Sequence, residues 1–162
     1  MPTNKTAKDA CDLLDADHRA VKKLFKEYEA LIGSHSRTSV ARKQELARDI
    51  CTQLTVHAQI EEEIFYPALR DALRATDLLD EAQVEHQSAK DLIAQIESGD
   101  DGPELHDAKV KVLGEYIDHH VKEERNELFP KARTARGLDL VAMRAQLEAR
   151  KAELLDEATA LA

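Results

Sequence analysis

Hydrophobic residues recur along nearly the whole chain at the three- and four-residue spacing of an α-helix, and charged residues fill the positions between them. Glycine, proline and short polar segments divide this pattern into separate stretches. We predict helices over residues 7–32, 39–65, 68–73, 76–97, 103–129 and 138–162. Thr6 is the predicted N-cap of the first helix. Pro67 is predicted to end or kink the second long helix, and Pro130 to end the fourth.

The last stretch is charged and carries a leucine at every seventh position. These leucines are Leu140, Leu147, Leu154 and Leu161. We predict a helix that lies on the rest of the protein with one apolar edge. A coiled-coil seam in a homodimer is the alternative, and it is disfavoured because the matching core positions hold Met143, Arg150 and Glu157.

Composition narrows the class of protein. The 162 residues fit one domain, and only 5 glycines and 4 prolines favour long helices over an all-β fold. Lys and Arg total 23 against 32 for Asp and Glu, and the net charge of −9 makes nucleic acid and anionic membranes poor partners. Cys11 and Cys51 form no CxxC pair and are expected to be reduced. With no apolar signal segment and no stretch of about 18 apolar residues, we expect a cytoplasmic protein.

Several polar side chains occupy helix faces that are otherwise apolar. They are His18, His57, Glu61, His86, His120 and Glu124. A carboxylate buried without a partner costs several kcal/mol, so two of them among four imidazoles call for a positive charge. Lys90 is the one basic residue near these faces, and it lies at the flank of its helix. A metal ion would supply the charge.

The polar residues follow an internal repeat. In HxxxE, both side chains lie on one helix face, one turn apart. The segment HAQIEEEIFYP (57–67) aligns with HVKEERNELFP (120–130), and His18 aligns with His86 in the preceding helix of each half. The chain therefore reads as two similar helical hairpins. They predict a pseudo-two-fold bundle with one histidine from each of four helices and one glutamate from each of two.

The order H…HxxxE…H…HxxxE, with endings like HxxxExxxxFP, resembles the hemerythrin-like HHE cation-binding family over residues 10–132. The resemblance implies an all-α protein, namely an antiparallel up-down four-helix bundle over residues 1–135, with the additional C-terminal helix in residues 136–162. It also implies two iron ions in a non-heme di-iron centre with an oxo or hydroxo bridge. In that family the carboxylates bridge the irons and the histidines bind their outer sides. The implied ligands are His18, His57, Glu61, His86, His120 and Glu124.

One position departs from the oxygen-carrying hemerythrins, whose third helix carries HxxxH. Lys90 stands here where the second histidine would be. Four histidines leave more coordination positions open than five, so small ligands could reach both irons. We expect Lys90 to be a surface side chain; the alternative is that it donates a hydrogen bond to bound peroxide. By donor type alone, the site could also take Zn²⁺ or Mn²⁺.

Two further assignments rest on the helical pattern. His119 and Glu123 have the same spacing as His120 and Glu124, but the row containing His120 is more apolar, so His120 is the predicted ligand. The three tyrosines, Tyr28, Tyr66 and Tyr116, are expected to pack in the core; the alternative is that they supply a hydrogen bond or an electron near the irons.

The resemblance implies a protein that binds oxygen, nitric oxide or hydrogen peroxide at the iron pair. A di-iron peroxidase or catalase-like enzyme is one alternative, and an iron-sensing or iron-handling module is another. A helical bundle without metal is a fourth possibility. The sequence leaves open whether the protein is catalytic.

Overall fold

Helices account for nearly all of residues 8–74 and 76–161, which the computed structural model describes. In chain order they are α1 (Ala10–Ala30), α2 (Arg37–Ile60), α3 (Tyr66–Ala72), α4 (Thr76–Ser98), α5 (Pro103–Glu123), α6 (Phe129–Thr134) and α7 (Leu140–Ala160). No β-strand occurs among the described residues. The predicted all-α fold is confirmed.

The four long helices α1, α2, α4 and α5 form the bundle. The hairpin partners α1 and α2 pack together, as do α4 and α5, and α1 also contacts α5 while α2 contacts α4. Short connections at 31–36 and 99–102 make each pair antiparallel. None of the described helices has the length and apolar character needed to cross a bilayer.

Side-chain caps set where three helices begin. Asp9 caps α1 in a reciprocal capping box with Asp12, while the predicted cap Thr6 lies outside the described residues. Ser36 caps α2 and Asp139 caps α7. Each side chain accepts a hydrogen bond from a backbone N–H that the first helical turn leaves free.

Two π-helical turns, Glu61–Phe65 and Glu124–Leu128, follow α2 and α5. After each turn a backbone N–H, that of Tyr66 or of Phe129, bonds to the first carbonyl of the turn. This hydrogen bond spans five residues, one more than the hydrogen bond of an α-helix. Because the π turn recurs at the same place in both hairpins, the internal repeat extends to the backbone.

The chain remains helical through both prolines. Pro67 lies in the first turn of α3 and Pro130 in the first turn of α6. The prediction that Pro130 ends the fourth helix is therefore wrong. Proline has no N–H to donate, and the first turn of a helical segment is the place where a helix tolerates that loss. The preceding π turn lets a new α-helical segment begin there.

The apolar core consists of two clusters with a polar layer between them. One cluster, around the π turns, includes Leu14, Ile60 and Phe65, and the other, toward the hairpin loops, includes Leu46 and Leu113. On α1, His18 lies between Leu14 of the first cluster and Val21 of the second. His86 lies between Ala82 and Ile93 of the two clusters, and His120 lies between Leu113 and Leu128. The helix periodicity thus places the site residues at mid-bundle.

The C-terminal helix α7 packs along α1 and α2. Leu140, Leu147 and Leu154 are buried in the cluster around the π turns, whereas Leu161 is 89% exposed. Three leucines of the seven-residue repeat therefore belong to the core of their own chain.

We predict that Leu147→Ala destabilises the protein by roughly 2–5 kcal/mol, because Leu147 is fully buried and its removal leaves a cavity. Urea unfolding, followed by circular dichroism, measures the difference. Leu161→Ala is the matched control, and we expect it to leave the free energy of unfolding unchanged. Equal effects of the two substitutions would show that α7 is not part of the core.

Candidate metal centre

The six polar residues singled out in the sequence converge in one layer across the four long helices. All are buried: His18, His57, Glu61, His86, His120 and Glu124. Their ligand atoms form two groups, within each of which the atoms lie no more than 4.8 Å apart, and Glu124 belongs to both. The structure therefore brings together every sequence-predicted site residue.

The imidazoles meet in pairs, one pair from each hairpin. His18 Nε2 lies 3.1 Å from His57 Nε2, and His86 Nε2 lies 3.2 Å from His120 Nε2. We call the His18–His57 pair position 1 and the His86–His120 pair position 2. In all four rings Nε2 faces the centre of the layer, so each position offers two nitrogen donors.

The two glutamates connect the positions. Glu61 Oε1 lies 3.0 Å from His57 Nε2 of its own hairpin and 3.4 Å from His86 Nε2 of the other hairpin. Glu124 contacts His120 through Oε1, and its Oε2 lies 4.0 Å from His18 Nε2. Each hairpin thus contributes a carboxylate that reaches the other hairpin's position.

The donors in this layer fit a metal cation. Both oxygens of Glu61 and Oε2 of Glu124 are buried and accept no hydrogen bond from the described residues. His57 Nε2 is close to Glu61 but is not aligned with it as a donor. Buried carboxylate oxygens without donors are strongly destabilising unless a cation lies beside them. Imidazole nitrogens with carboxylate oxygens suit iron, zinc and manganese.

On the outer side, each imidazole faces a carboxylate. His57 Nδ1 donates to Asp17 at 3.1 Å, and His120 Nδ1 donates to Glu85 at 2.8 Å. Such a contact fixes the ring orientation and makes Nε2 the free donor for a metal. Sequence reasoning did not assign these two carboxylates a role. A signal existed, because Asp17 and Glu85 occupy aligned positions just before His18 and His86, the site histidine in the first helix of each hairpin.

The other two outer contacts are longer. His86 Nδ1 lies 3.6 Å from Glu62, and His18 Nδ1 lies 3.8 Å from Asp15. The Lys90 ammonium donates to Glu62 at 2.6 Å, and its side chain is 43% exposed. Lys90 therefore lies on the outer side of His86, as expected for a surface side chain.

A phenol enters the layer at position 2. The Tyr66 hydroxyl donates to Glu124 Oε1 at 3.1 Å and lies 3.2 Å from His86 Nε2 and 3.3 Å from His120 Nε2. Tyr66 therefore makes a hydrogen bond at the site, which was the alternative to core packing alone. The residue follows Glu61 by five positions, which in an α-helix would point it away from the site. The π turn brings it back to the same face.

The aligned residue in the other hairpin has no hydroxyl. Phe129 stacks on His18, with ring centroids 6.1 Å apart and planes within 8° of parallel. Position 1 is therefore bordered by a hydrocarbon ring, whereas position 2 has a hydrogen-bond donor. This difference breaks the pseudo-two-fold symmetry of the site.

Of the two neighbouring histidines, His119 and His120, the structure buries the one that lies in the more apolar row of the helix. The His119 side chain is 68% exposed and pairs with Glu123 at 3.1 Å. His120 is buried and faces the layer. One residue thus separates a surface ion pair from a site histidine.

Without a metal, the layer distributes protons unevenly. Burial and the neighbouring His57 imidazolium lower the pKa of His18 to about 3. Burial also opposes protonation of His57, but the Glu61 and Asp17 carboxylates outweigh it and raise the pKa of His57 to about 10. Burial and the nearby Glu61 raise the pKa of Glu124. Because ligation needs neutral imidazole, metal binding would release protons and strengthen as pH rises.

A small cavity reaches the layer. Its volume is about 60 Å³, and it touches all four site imidazoles. The apolar part of its wall includes Val21, Leu54, Ala89, Ile93 and Ile117, and polar side chains such as Thr55, Glu85 and Lys90 also line it. The cavity has room for a molecule of a few atoms next to the ligand nitrogens.

Comparison with known proteins agrees with this geometry. The Hemerythrin HHE cation binding domain family matches residues 9–132, and the chain belongs to that family. A solved hemerythrin HHE cation binding domain-containing protein from Mycobacterium kansasii has the same fold, with a TM-score of 0.71 and 20% identity over 94% of this chain and 90% of that one. A Nostoc sp. protein named DNA nickase is 31% identical over 119 residues, or 73% of this chain. The chain spans only 32% of that relative's length.

We predict that the metal-free protein loses stability as pH falls from 6.5 toward 3, with His18 as one identifiable contributor. Its pKa drops from 6.5 to about 3 on folding, so below pH 6.5 the unfolded chain binds a proton that the folded chain does not. One such proton gives a slope of up to about 1.4 kcal/mol per pH unit.

Urea unfolding of chelator-treated protein between pH 4 and 7 measures this slope. We expect His18→Gln to reduce the slope and His119→Gln, at the exposed neighbour of the site, to leave it unchanged. Identical slopes for wild type and His18→Gln would contradict the assignment.

Proposed function

We propose that the protein is a non-heme di-iron protein that binds a small ligand, such as oxygen, nitric oxide or hydrogen peroxide. The ligands to the iron pair would be His18, His57, Glu61, His86, His120 and Glu124. Each position would hold one iron through two imidazoles. The carboxylates of Glu61 and Glu124 would reach both irons, because each already lies near imidazoles of both hairpins.

The donor count leaves room for a ligand. Four imidazoles and two shared carboxylates cannot complete the coordination of two octahedral ions. The outer carboxylates Asp17 and Glu85 hold their imidazoles in place, so the open positions are set by the protein. When bound, the irons would supply ligand coordination and one-electron redox chemistry.

The observation that carries the proposal is the cavity of about 60 Å³ that touches all four imidazoles. The cavity, whose wall includes Leu54, Ile93 and Ile117, is too small for large substrates but admits a molecule of two or three atoms. An apolar wall beside a cationic centre favours small uncharged ligands over hydrated anions.

A peroxide-directed enzyme is the second candidate, and Tyr66 favours it. Its hydroxyl is buried, donates to Glu124 and lies within 3.3 Å of both imidazoles of position 2. Burial and the Glu124 carboxylate raise the pKa of Tyr66, so the phenol keeps its proton. It could hold a proton beside a bound ligand or pass one to it.

DNA is a poor candidate ligand for this chain. The nickase name belongs to a relative of which this chain spans about a third. A net charge of −9 opposes binding to a phosphate backbone.

We predict two irons per chain after expression in iron-rich medium, measured by elemental analysis of the purified protein. His120→Ala should lower the iron content, and His119→Ala, which removes the exposed neighbour, should retain two irons. Chelation should lower the Tm of the wild type, since an ion bound only by the folded state stabilises it. Wild-type protein without iron, or equal iron loss in both variants, would contradict the site.

We predict that Leu54→Phe weakens nitric oxide binding to the ferrous protein by about tenfold while the iron content stays at two. The added bulk fills the cavity, and overpacking of about 1–3 kcal/mol corresponds to a factor of that size. Optical titration with nitric oxide measures the affinity. Ile93→Phe tests the same wall, and Val84→Phe at an exposed position is the control.

The two candidate functions differ in what Tyr66→Phe does. For a ligand-binding protein, this variant keeps two irons and its nitric oxide affinity, and hydrogen peroxide is not turned over by wild type. For an enzyme, wild type consumes peroxide catalytically, and Tyr66→Phe slows turnover with iron retained.

A further inference from the structure

The additional helix α7 lies outside the matched family residues 9–132 and reaches the surroundings of the proposed iron pair. Lys151 Nζ donates to Asp17 Oδ1 at 2.5 Å. The other oxygen of the same carboxylate, Oδ2, accepts from His57 Nδ1 at 3.1 Å. A continuous chain of contacts therefore runs from the ammonium of α7 through Asp17 to a histidine of position 1.

The packing of α7 fixes this ammonium in place. Lys151 lies on the buried face of the helix, one turn after Leu147 and one turn before Leu154, and both leucines are in the core. The neighbouring Arg150 makes a two-pronged ion pair with Glu63 of the first π turn, at 2.8 and 3.3 Å. The Lys151 side chain is 28% exposed and that of Asp17 only 11%. The position of Lys151 is thus determined by the buried leucines of α7 and by the ion pair of the neighbouring Arg150.

Among the described residues, no lysine or arginine pairs with the position 2 counterpart of Asp17. This counterpart is Glu85, which accepts from His120 Nδ1 at 2.8 Å. Its neighbours are Glu123 and the exposed His119.

Position 2 does have one outer cation, because Lys90 pairs with Glu62, which lies 3.6 Å from His86 Nδ1. At position 1 both outer carboxylates carry a cation, since Arg125 pairs with Asp15, which lies 3.8 Å from His18 Nδ1. The two positions therefore differ in charge outside the ligands, although the ligands themselves match.

The Lys151 cation changes the electrostatic potential at position 1 in a definite direction. A carboxylate that accepts from a ligating imidazole makes the ring a stronger electron donor to the metal. A cation on that carboxylate withdraws part of this effect and adds its own positive potential. Both influences disfavour the higher charge state of an ion at position 1. An iron there is easier to reduce than an iron at position 2.

We propose that Lys151 is a positioning residue of the iron centre and that, through Asp17 and His57, it makes position 1 the iron that is reduced first. The inference rests on the proposed di-iron function. It assigns to α7 a role in tuning the site, in addition to its packing role.

The experiment is a reductive titration of the iron-loaded full chain, followed by electron paramagnetic resonance and optical absorption. Wild type should take up its two electrons in two separate steps. Lys151→Met should move the first step to lower potential and bring the two steps closer together. Lys151→Arg keeps a cation on Asp17 and should restore the wild-type separation. Arg144→Met is the matched control, because it removes a charge from the same helix, where the guanidinium pairs with Glu148 and with no other described residue.

Each outcome decides the matter. A shift in Lys151→Met that Lys151→Arg reverses and Arg144→Met lacks supports the proposal. Loss of one iron in Lys151→Met alone, with two irons in the other variants, also supports a positioning role at one position. Potentials equal to wild type in Lys151→Met overturn it, as do equal shifts in Lys151→Met and Arg144→Met. Those results leave the iron pair intact, whereas wild-type protein without two irons overturns both proposals.

Discussion

Two carboxylates buried at the centre of a helical bundle are the constraint on which the rest of the structure depends. Glu61 and Glu124 are almost fully removed from solvent, and three of their oxygens accept no hydrogen bond from the described residues. A hydrophobic interior does not tolerate this arrangement without nearby positive charge. The imidazoles around the glutamates supply part of it as protons, and a cation would supply it more completely. Membership in the HHE cation-binding family agrees with this account.

The π turns of the backbone determine which side chains lie next to the two buried carboxylates. Each turn follows the HxxxE face and adds one residue, which returns the next aromatic side chain to that face. In the first hairpin this residue is Tyr66, which donates to Glu124, and in the second it is Phe129, which stacks on His18. One backbone device thus gives different surroundings to two similar half-sites. Local departures from regular helix geometry often coincide with functional positions, and here the departure determines which groups border the layer.

Much of the fold and site followed from the sequence, because helix periodicity and the HxxxE repeat are local patterns. They predicted the long helices and the six residues that converge, and they separated His120 from His119. What they missed depends on contacts between helices far apart in the chain. The alignment of Asp17 with Glu85 indicates a shared role but not its partner, since Asp17 and His57 are 40 residues apart in the chain. Lys151 is 134 residues from Asp17. The continuation of the helix through Pro130 was missed because the hydrophobic pattern carries no mark of a π turn.

The crossing of the carboxylates between hairpins has a consequence for assembly. Each position takes both imidazoles from one hairpin, but each glutamate also reaches an imidazole of the opposite hairpin. An ion entering either position would therefore draw the two hairpins together and orient both carboxylates for its neighbour. Occupancy of the first position would lower the conformational entropy still to be lost at the second. Loading of such a centre would be cooperative, with half-filled protein a minor species.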